Sequence, residues 1–407
     1  MLIKIALRNI VRNGRRSIIT ILAITAGLSV LTLSLTLRTG QYTEMINSGV
    51  SQLAGHVVIQ QHGYQKERDA ELFFNDRTAI YTALEQAYPD AVITTRSFVG
   101  GLLSSTSGPG FAAAIGIDPE KEKAVSDFYE KMVEGEWLDD DPREIVIGVN
   151  MAKSLGVDLG DKLVFNVQVG PEMNSRLYRV KGIFKTGAEE VDAITAYVHH
   201  ESIEELFLQK DMAHQLALHF DNVDRGSIEA PAIKEMLDRD NLEILDWKAA
   251  VPEIVNLVEI DVKSNEFINA ILLIIVSLGV LNTVLMSVLE RTREFGVMLA
   301  IGLRPSRLSR VILLEGFLLG LGGAVLGLII GGIISYPLVV SGIDMSASMG
   351  ESTVMEGAVM TTHMYGEYDW GRCIMYAICA VVLSILSAVY PARKIKSMNP
   401  VDAMRHH

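Results

Sequence analysis

Nucleotide hydrolysis is the first chemistry to test, because a phosphate cradle has a recognisable form. It is a glycine-rich loop ending in Gly-Lys-Ser or Gly-Lys-Thr, whose backbone N–H groups and lysine grip the phosphates. The 407 residues contain no Gly-Lys pair, so ATP cannot be held here by that device. Metal chemistry fares no better. A His-Glu-x-x-His pair is absent, Cys373 and Cys379 share one apolar run, and His199-His200 has no further ligand at metal spacing. His199-His200 reads as a surface pair at a strand end. Asp139-Asp140-Asp141 lacks the spacing of a calcium loop and reads as a solvated turn. The expectation is no catalytic residue, no metal and no cofactor in this chain.

The residues that stand out instead lie in Glu290 to Arg310, where five arginines face two glutamates between two long apolar runs. Lys/Arg-rich short loops stay in the cytoplasm. Topology needs only charge, yet this segment also has an apolar pattern. Phe295, Met298 and Leu299 stand at i, i+3 and i+4 on a helix expected to continue from the preceding run. Gly302 is placed to supply a left-handed cap and Pro305 to start the next helix. A short helix between two stiff rods, with one apolar face, can fit a partner's groove. The candidate coupling residues are Glu290, Arg291, Arg293, Glu294, Phe295, Gly296, Met298, Leu299 and Gly302.

Four apolar runs must position that segment. The spans are read at 17–38, 267–289, 311–340 and 371–390, each near the roughly 20 residues that cross a bilayer. A cleaved signal peptide is the competing reading of the first, but an h-region is only about 7–15 residues and no A-x-A-like site follows. Residues 1–16 alternate apolar and basic positions at helical spacing, as in an amphipathic helix on the cytoplasmic membrane surface. In the third run Gly316 and Gly320 make one small-xxx-small pair, and Gly323, Gly327 and Gly331 a second series, both suited to close helix packing. Asn282 in the second run and Glu315 in the third are the membrane polar residues that stand out, read as packing or cavity candidates. The ending His406-His407 has the form of a tag remnant and is set aside.

Charge orients the whole. Residues 1–16 carry five Lys/Arg and no acid, whereas residues 38–266 carry 21 Lys/Arg and 40 Asp/Glu, hence −19. Both termini are then cytoplasmic, with 391–407 as a cytoplasmic tail, and the acidic mass lies outside, as does the loop 341–370. Nucleic acid is excluded as a partner for so acidic a domain. Residues 39–266 read as an α+β domain in two textures. Near Gly135 short strands with Gly/Asp/Pro turns take over, marking a β-rich insertion at about 120–200 in a split α/β unit. The Gly100-Gly101 pair is expected to break the stretch Ala91 to Ser104 into two strands.

Several short motifs occur in a fixed order: Glu290-Arg-Thr-Arg-Glu-Phe-Gly296, Ala300-Ile-Gly-Leu303, Tyr390-Pro-Ala-Arg-Lys394 and Asn399-Pro-Val-Asp-Ala-Met-Arg405. With the large domain after the first span, this combination resembles the MacB/LolC/FtsX-type permeases, the type VII ABC transporter membrane subunits. The likeness covers the whole chain. It implies a bacterial inner-membrane, multi-pass, four-helix subunit that dimerises as a homodimer or with a related paralogue. Its partner would be an ABC ATPase subunit carrying the ATP and magnesium. It also implies an extracytoplasmic domain with a split α/β porter-like part and an inserted β-rich sabre-like part. Gly55-His-Val-Val-Ile-Gln-Gln-His-Gly63 is similar to the lipoprotein-releasing branch. Mechanotransmission for lipoprotein release, with a periplasmic adaptor or carrier and membrane lipid as further partners, is the function implied. The alternatives are MacB-like efflux of peptides or drugs and FtsX-like regulation of a cell-wall hydrolase.

Overall fold

The apolar runs form long helices in the computed structural model, which describes residues 2–346, 352–355 and 358–396. A short helix α1 (Leu2–Arg12) precedes α2 (Gly14–Leu53), α3 (Pro252–Glu290), α4 (Thr292–Ala300), α5 (Pro305–Val340) and α6 (Trp370–Lys396). Among the described residues four helices, α2, α3, α5 and α6, are long and apolar enough to cross a membrane. Helix α2 has 40 residues and α3 has 39, so both run beyond the spans read from hydropathy. The helical hydrogen-bond ladder does not require apolar side chains, and the polar stretches 41–53 and 252–266 continue it. The motif Asn399 to Arg405 and the tail beyond Lys396 lie outside the described residues.

The chain divides into two units, one of residues 1–42, 259–343 and 364–407 and the other of 43–258 and 344–363. In the first, glycines on α5 build two separate seams. A Cβ on Gly316 would stand 2.8 Å from Ala388 Cβ and one on Gly320 2.7 Å from Ser384 Cβ, both on α6. The other series faces α2, where Cβ atoms on Gly323, Gly327 and Gly331 would come within 2.6, 2.8 and 2.8 Å of Ile24, Leu28 and Thr32. Such separations are below any ordinary contact, so the backbones approach only because these side chains are missing. Thr25 and Ser29 add hydroxyl donors to the carbonyls of Gly323 and Gly327, at 3.3 and 3.2 Å. Asn282 departs from the packing role read for it, since its side chain is exposed on the outside of α3. The packed asparagine is Asn269, buried and donating to Tyr376 Oη at 3.2 Å.

The second unit is organised on a ten-stranded sheet. Its strands are β1 (Val57–Gln61), β2 (Val92–Ser104), β3 (Pro109–Ile117), β4 (Met132–Gly135), β5 (Glu144–Gly148), β6 (Lys162–Val169), β7 (Glu172–Phe184), β8 (Thr195–His199), β9 (Gln215–His219) and β10 (Leu242–Asp246). The order is β10-β1-β9-β2-β3-β8-β5-β7-β4, with β6 bridging β2 and β7. Two of the apolar clusters that line it divide along the chain. One gathers Val57, Ile59, Ile93, Leu216 and Leu218 under the helices Arg77–Ala87 and Val223–Leu237. The other gathers Leu103, Ile147, Phe165, Tyr178 and Val198 in the β-rich region.

Strand β2 joins the two regions: Val92–Arg96 pairs with β9 and Leu102–Ser104 with β6. Gly100-Gly101 therefore does not break it. A Cβ on Gly101 would lie 2.5 Å from the Asn166 carbonyl oxygen, so glycine is needed there for close approach of β6. His200 is likewise no surface residue: it is buried, with Nδ1 3.3 Å from Ser97 Oγ and Nε2 3.2 Å from Glu204. Buried Arg96 pairs with Glu122 at 2.7 Å and donates to the carbonyls of Ser51 and Gln52, fixing the last turn of α2 on the sheet.

The segment read as a plain loop, 341–370, contains a hairpin of β11 (Ser352–Met355) and β12 (Ala358–Thr361). Ala358, Val359 and Met360 are buried. Gln52 holds Val359 like a strand neighbour, donating from Nε2 to its carbonyl at 2.9 Å and accepting its N–H at 2.8 Å.

Candidate coupling site

Helix α3 ends at Glu290, and α4 does not run on from it as the pattern suggested. Arg291 leaves helical geometry (φ −101°, ψ 10°) and α4 restarts at Thr292. The break is closed by the Thr292 hydroxyl, which donates to the carbonyl of Leu289 at 2.8 Å. At the other end Gly302 takes φ +100°, its N–H bonding to Leu299 O and that of Leu303 to Met298 O, each at 3.0 Å. That pair of bonds is a Schellman cap, which needs a residue free to turn left-handed. Pro305 then occupies the first turn of α5.

The apolar face of α4 points inward, which corrects its reading as a partner-binding face. Phe295 is buried beside Val284, Val288, Leu308 and Ile312, and Met298 and Leu299 pack on the same cluster. Gly296 is buried as well. Arg293, Val297, Ala300, Ile301, Arg304 and Arg307 face outward, with Val297 43% and Ile301 82% exposed.

Around this inward face a polar network gathers residues distant in sequence. Arg291, its side chain 8% exposed, donates to Glu315 on α5 at 3.3 Å and to Glu294 at 3.2 Å, and lies 5.0 Å above the Phe295 ring. Asn9 of α1 donates to the same Glu315 oxygen at 2.6 Å. Arg12 pairs with Glu294 at 2.6 Å, and Arg16 grips Glu290 through two bonds of 2.7 and 2.5 Å. The bond from Arg12 holds the Glu294 carboxyl below its ordinary range, with Arg291 helping against partial desolvation. Helix α1 is therefore clamped on the connector as well as amphipathic.

Asn9, Arg12 and Arg16 were not among the sequence candidates. A signal for two of them existed: Arg12 and Arg16 share a four-residue spacing with Glu290 and Glu294, and reversed order pairs each arginine with one glutamate. Asn9 had no comparable signal. The glycines of α5 lie in the two seams described above, and Asn282 belongs to neither seam nor network.

Residues 17–228, just over half of the chain, match the sequence model of the MacB-like periplasmic core domain, and residues 266–400 match that of the FtsX-like permease C-terminal region. The chain belongs to the FtsX/MacB-type family of ABC transporter permeases. This FtsX/MacB-type permease is 23% identical to a lipoprotein-releasing system transmembrane protein LolC of Neisseria meningitidis serogroup B, over 97% of its own length and 96% of the relative's. A macrolide export ATP-binding/permease protein MacB of Bordetella avium is 30% identical over 34% of the permease and 18% of that protein. Among solved structures, the periplasmic region of MacB from Actinobacillus actinomycetemcomitans covers 51% of the permease and 95% of its own chain, at 13% identity and a TM-score of 0.36.

Proposed function

We propose that this permease is the membrane subunit through which a separate ATPase drives its large domain, in a bacterial inner-membrane transporter for lipoprotein release. The carrying observation is the two-sided character of α4. Its inner side is keyed to α1, α3 and α5 through Phe295, Arg291 and Glu315, while Arg293, Val297, Ile301 and Arg304 are left for a partner. A push on the outer side cannot be absorbed by α4 alone, since moving it would expose a buried aromatic ring and an ion pair. An apolar strip rimmed by arginine suits a groove with acidic edges, in the manner of helix-in-groove recognition.

ATP and magnesium belong on the partner ATPase in this reading. The basic charge of residues 1–16 and of the connector supports a cytoplasmic position for both termini and the connector, with the large domain beyond the membrane. A second permease subunit, identical or related, completes the assembly, with a carrier or adaptor at the outer face. Lipoprotein as cargo is supported by the LolC-named relative, which is similar along nearly the whole chain, whereas the MacB-named relatives are similar over a third to about half of it.

The test replaces Ile301→Asp together with Arg293→Glu in the assembled transporter. Membrane insertion and thermal unfolding should be unchanged, while binding of the ATPase or its coupling to release falls by more than about tenfold, as when a central interface anchor is lost. Full coupling in that variant would remove the outer face of α4 from the mechanism. Normal lipoprotein release after depletion of the permease would exclude that cargo and leave efflux or hydrolase regulation.

A further inference from the structure

A cavity of about 480 Å³ opens on one face of the large sheet, within the size range of small-ligand pockets. Its floor is two cross-strand rows: Gly100, Ala113 and Thr195 in one, Phe98, Ile115 and Tyr197 in the other. The first row is small, and its missing side-chain volume is what hollows the face. The walls come from the stretches where the chain enters or leaves the membrane helices. Leu53 ends α2, Ile254 lies in the first turn of α3, and Val359 belongs to the hairpin between α5 and α6, held by Gln52.

We infer that this cavity binds a single aliphatic chain with an anionic end, of the fatty-acid or acyl-lipid kind. Along the floor β3 is paired on both sides, Ala113 and Ile115 with β2 and with β8, so the backbone at its centre is already used. A peptide would bring N–H and C=O groups that find no partner there, whereas a methylene chain brings none. A slender chain suits a floor where Gly100 and Ala113 leave side-chain volume empty. For the polar end, Arg68 lines the cavity with no carboxylate partner among the described residues, resting only against the Tyr64 ring at 5.9 Å. Glu253, the other charged lining residue, disfavours a second negative charge on the ligand. The inference is independent of the cargo proposed above. It concerns occupancy of the large domain, and it stands or falls on binding, not release.

The experiment uses the full chain in lipid nanodiscs and a long-chain fatty acid carrying a mid-chain diazirine, with the labelled residues mapped by mass spectrometry. Labelling is expected at residues 98–115 and at Val359, competed by excess unlabelled fatty acid. Ala113→Phe fills the floor and should reduce that labelling by at least about tenfold, leaving labelling of the membrane helices unchanged. Gly100→Leu is the second filling variant: a Cβ there meets only the Phe111 ring, at 3.5 Å, so the backbone is not disturbed. Arg68→Gln should weaken the acid by about tenfold and leave the matching alcohol probe unaffected, as loss of a charge-assisted bond predicts. Labelling confined to the membrane helices, or indifferent to both filling variants, overturns the site. Displacement by an apolar peptide as readily as by fatty acid overturns the ligand class, and equal loss of acid and alcohol in Arg68→Gln overturns the anionic end.

Discussion

Glu315→Leu is the sharpest perturbation of the connector, because it removes one acceptor serving two helices. Arg291 and Glu315 have side chains only 8% and 10% exposed, so deleting one strands a charge with little water to solvate it. Breaking such a pair costs about 3–5 kcal/mol. Arg291 keeps its bond to Glu294, whose side chain is 46% exposed, and this places the loss toward the lower end, about 3 kcal/mol. The cost falls on the local opening of α4 and α1, since those elements hold Arg291 and Asn9. Amide hydrogen exchange across residues 293–300 should therefore speed up by about a hundredfold, at a factor of ten per 1.4 kcal/mol. Arg291→Met added to Glu315→Leu should recover most of that protection, because no buried charge is then left alone. As a contrast, Arg12→Ala breaks a pair exposed by 52% and 46% and should change exchange by at most about fivefold. If Glu315→Leu and Arg12→Ala gave equal effects, or the double variant were worse than the single one, the network would not hold the connector.

Other outcomes follow from the same geometry. Burial pushes the His214 imidazole down to about 4, while Nε2 bonds to the Ala70 carbonyl at 2.8 Å. A lowered histidine pKa favours the fold fully above the unfolded value near 6.5 and loses that contribution as pH falls toward 4, by about 2 kcal/mol at pH 5. His214→Gln should narrow the gap between thermal melts of the full chain at pH 7 and pH 5. Gly327→Val should disrupt the α2–α5 seam, where Leu28 Cβ already stands 2.8 Å from the position of an added Cβ, and lower the melting temperature in detergent. Gly322→Ala is the control, since its nearest neighbour is 3.9 Å away and little change is expected. Gln52→Ala should free the hairpin from the large domain, read as faster exchange at the Val359 amide by about fivefold or more, from one lost pair of hydrogen bonds.

Much of the architecture was legible because membranes impose a simple code. Apolar runs of span length and basic flanks are visible one residue at a time, and the four helices appear where those runs lie. The glycine series was readable in kind, since spacing of four puts glycines on one face. That the series divides between α6 and α2 depends on which helices neighbour α5, and no local pattern encodes that. The large domain was legible as alternating textures and illegible as a sheet. Gly100-Gly101 has the composition of a turn, yet Phe165 and Asn166 arrive from 65 residues later and turn the same glycines into a point of close approach inside one strand.

The connector shows most clearly where periodicity ends as evidence. An i, i+3, i+4 stripe of Phe295, Met298 and Leu299 states that one face of α4 avoids water, and it is silent on whether the shelter is a partner or the chain itself. The competition is unequal. An intramolecular shelter is always at hand, and here α3 and α5 already present Val284, Val288, Leu308 and Ile312 at the base of the bundle. A partner's groove must also overcome the loss of translational and rotational freedom on association. The strongest apolar face therefore turns inward, and the weaker one, Val297 and Ile301 among arginines, is left outside. It follows that Phe295→Ala is a poor probe of coupling, because truncating a buried Phe costs about 3–5 kcal/mol and loosens α4 from the bundle whether or not a partner is present. Substitution at Ile301 separates the two effects: its side chain contributes little to the fold at 82% exposure, so lost coupling there reports on the partner contact.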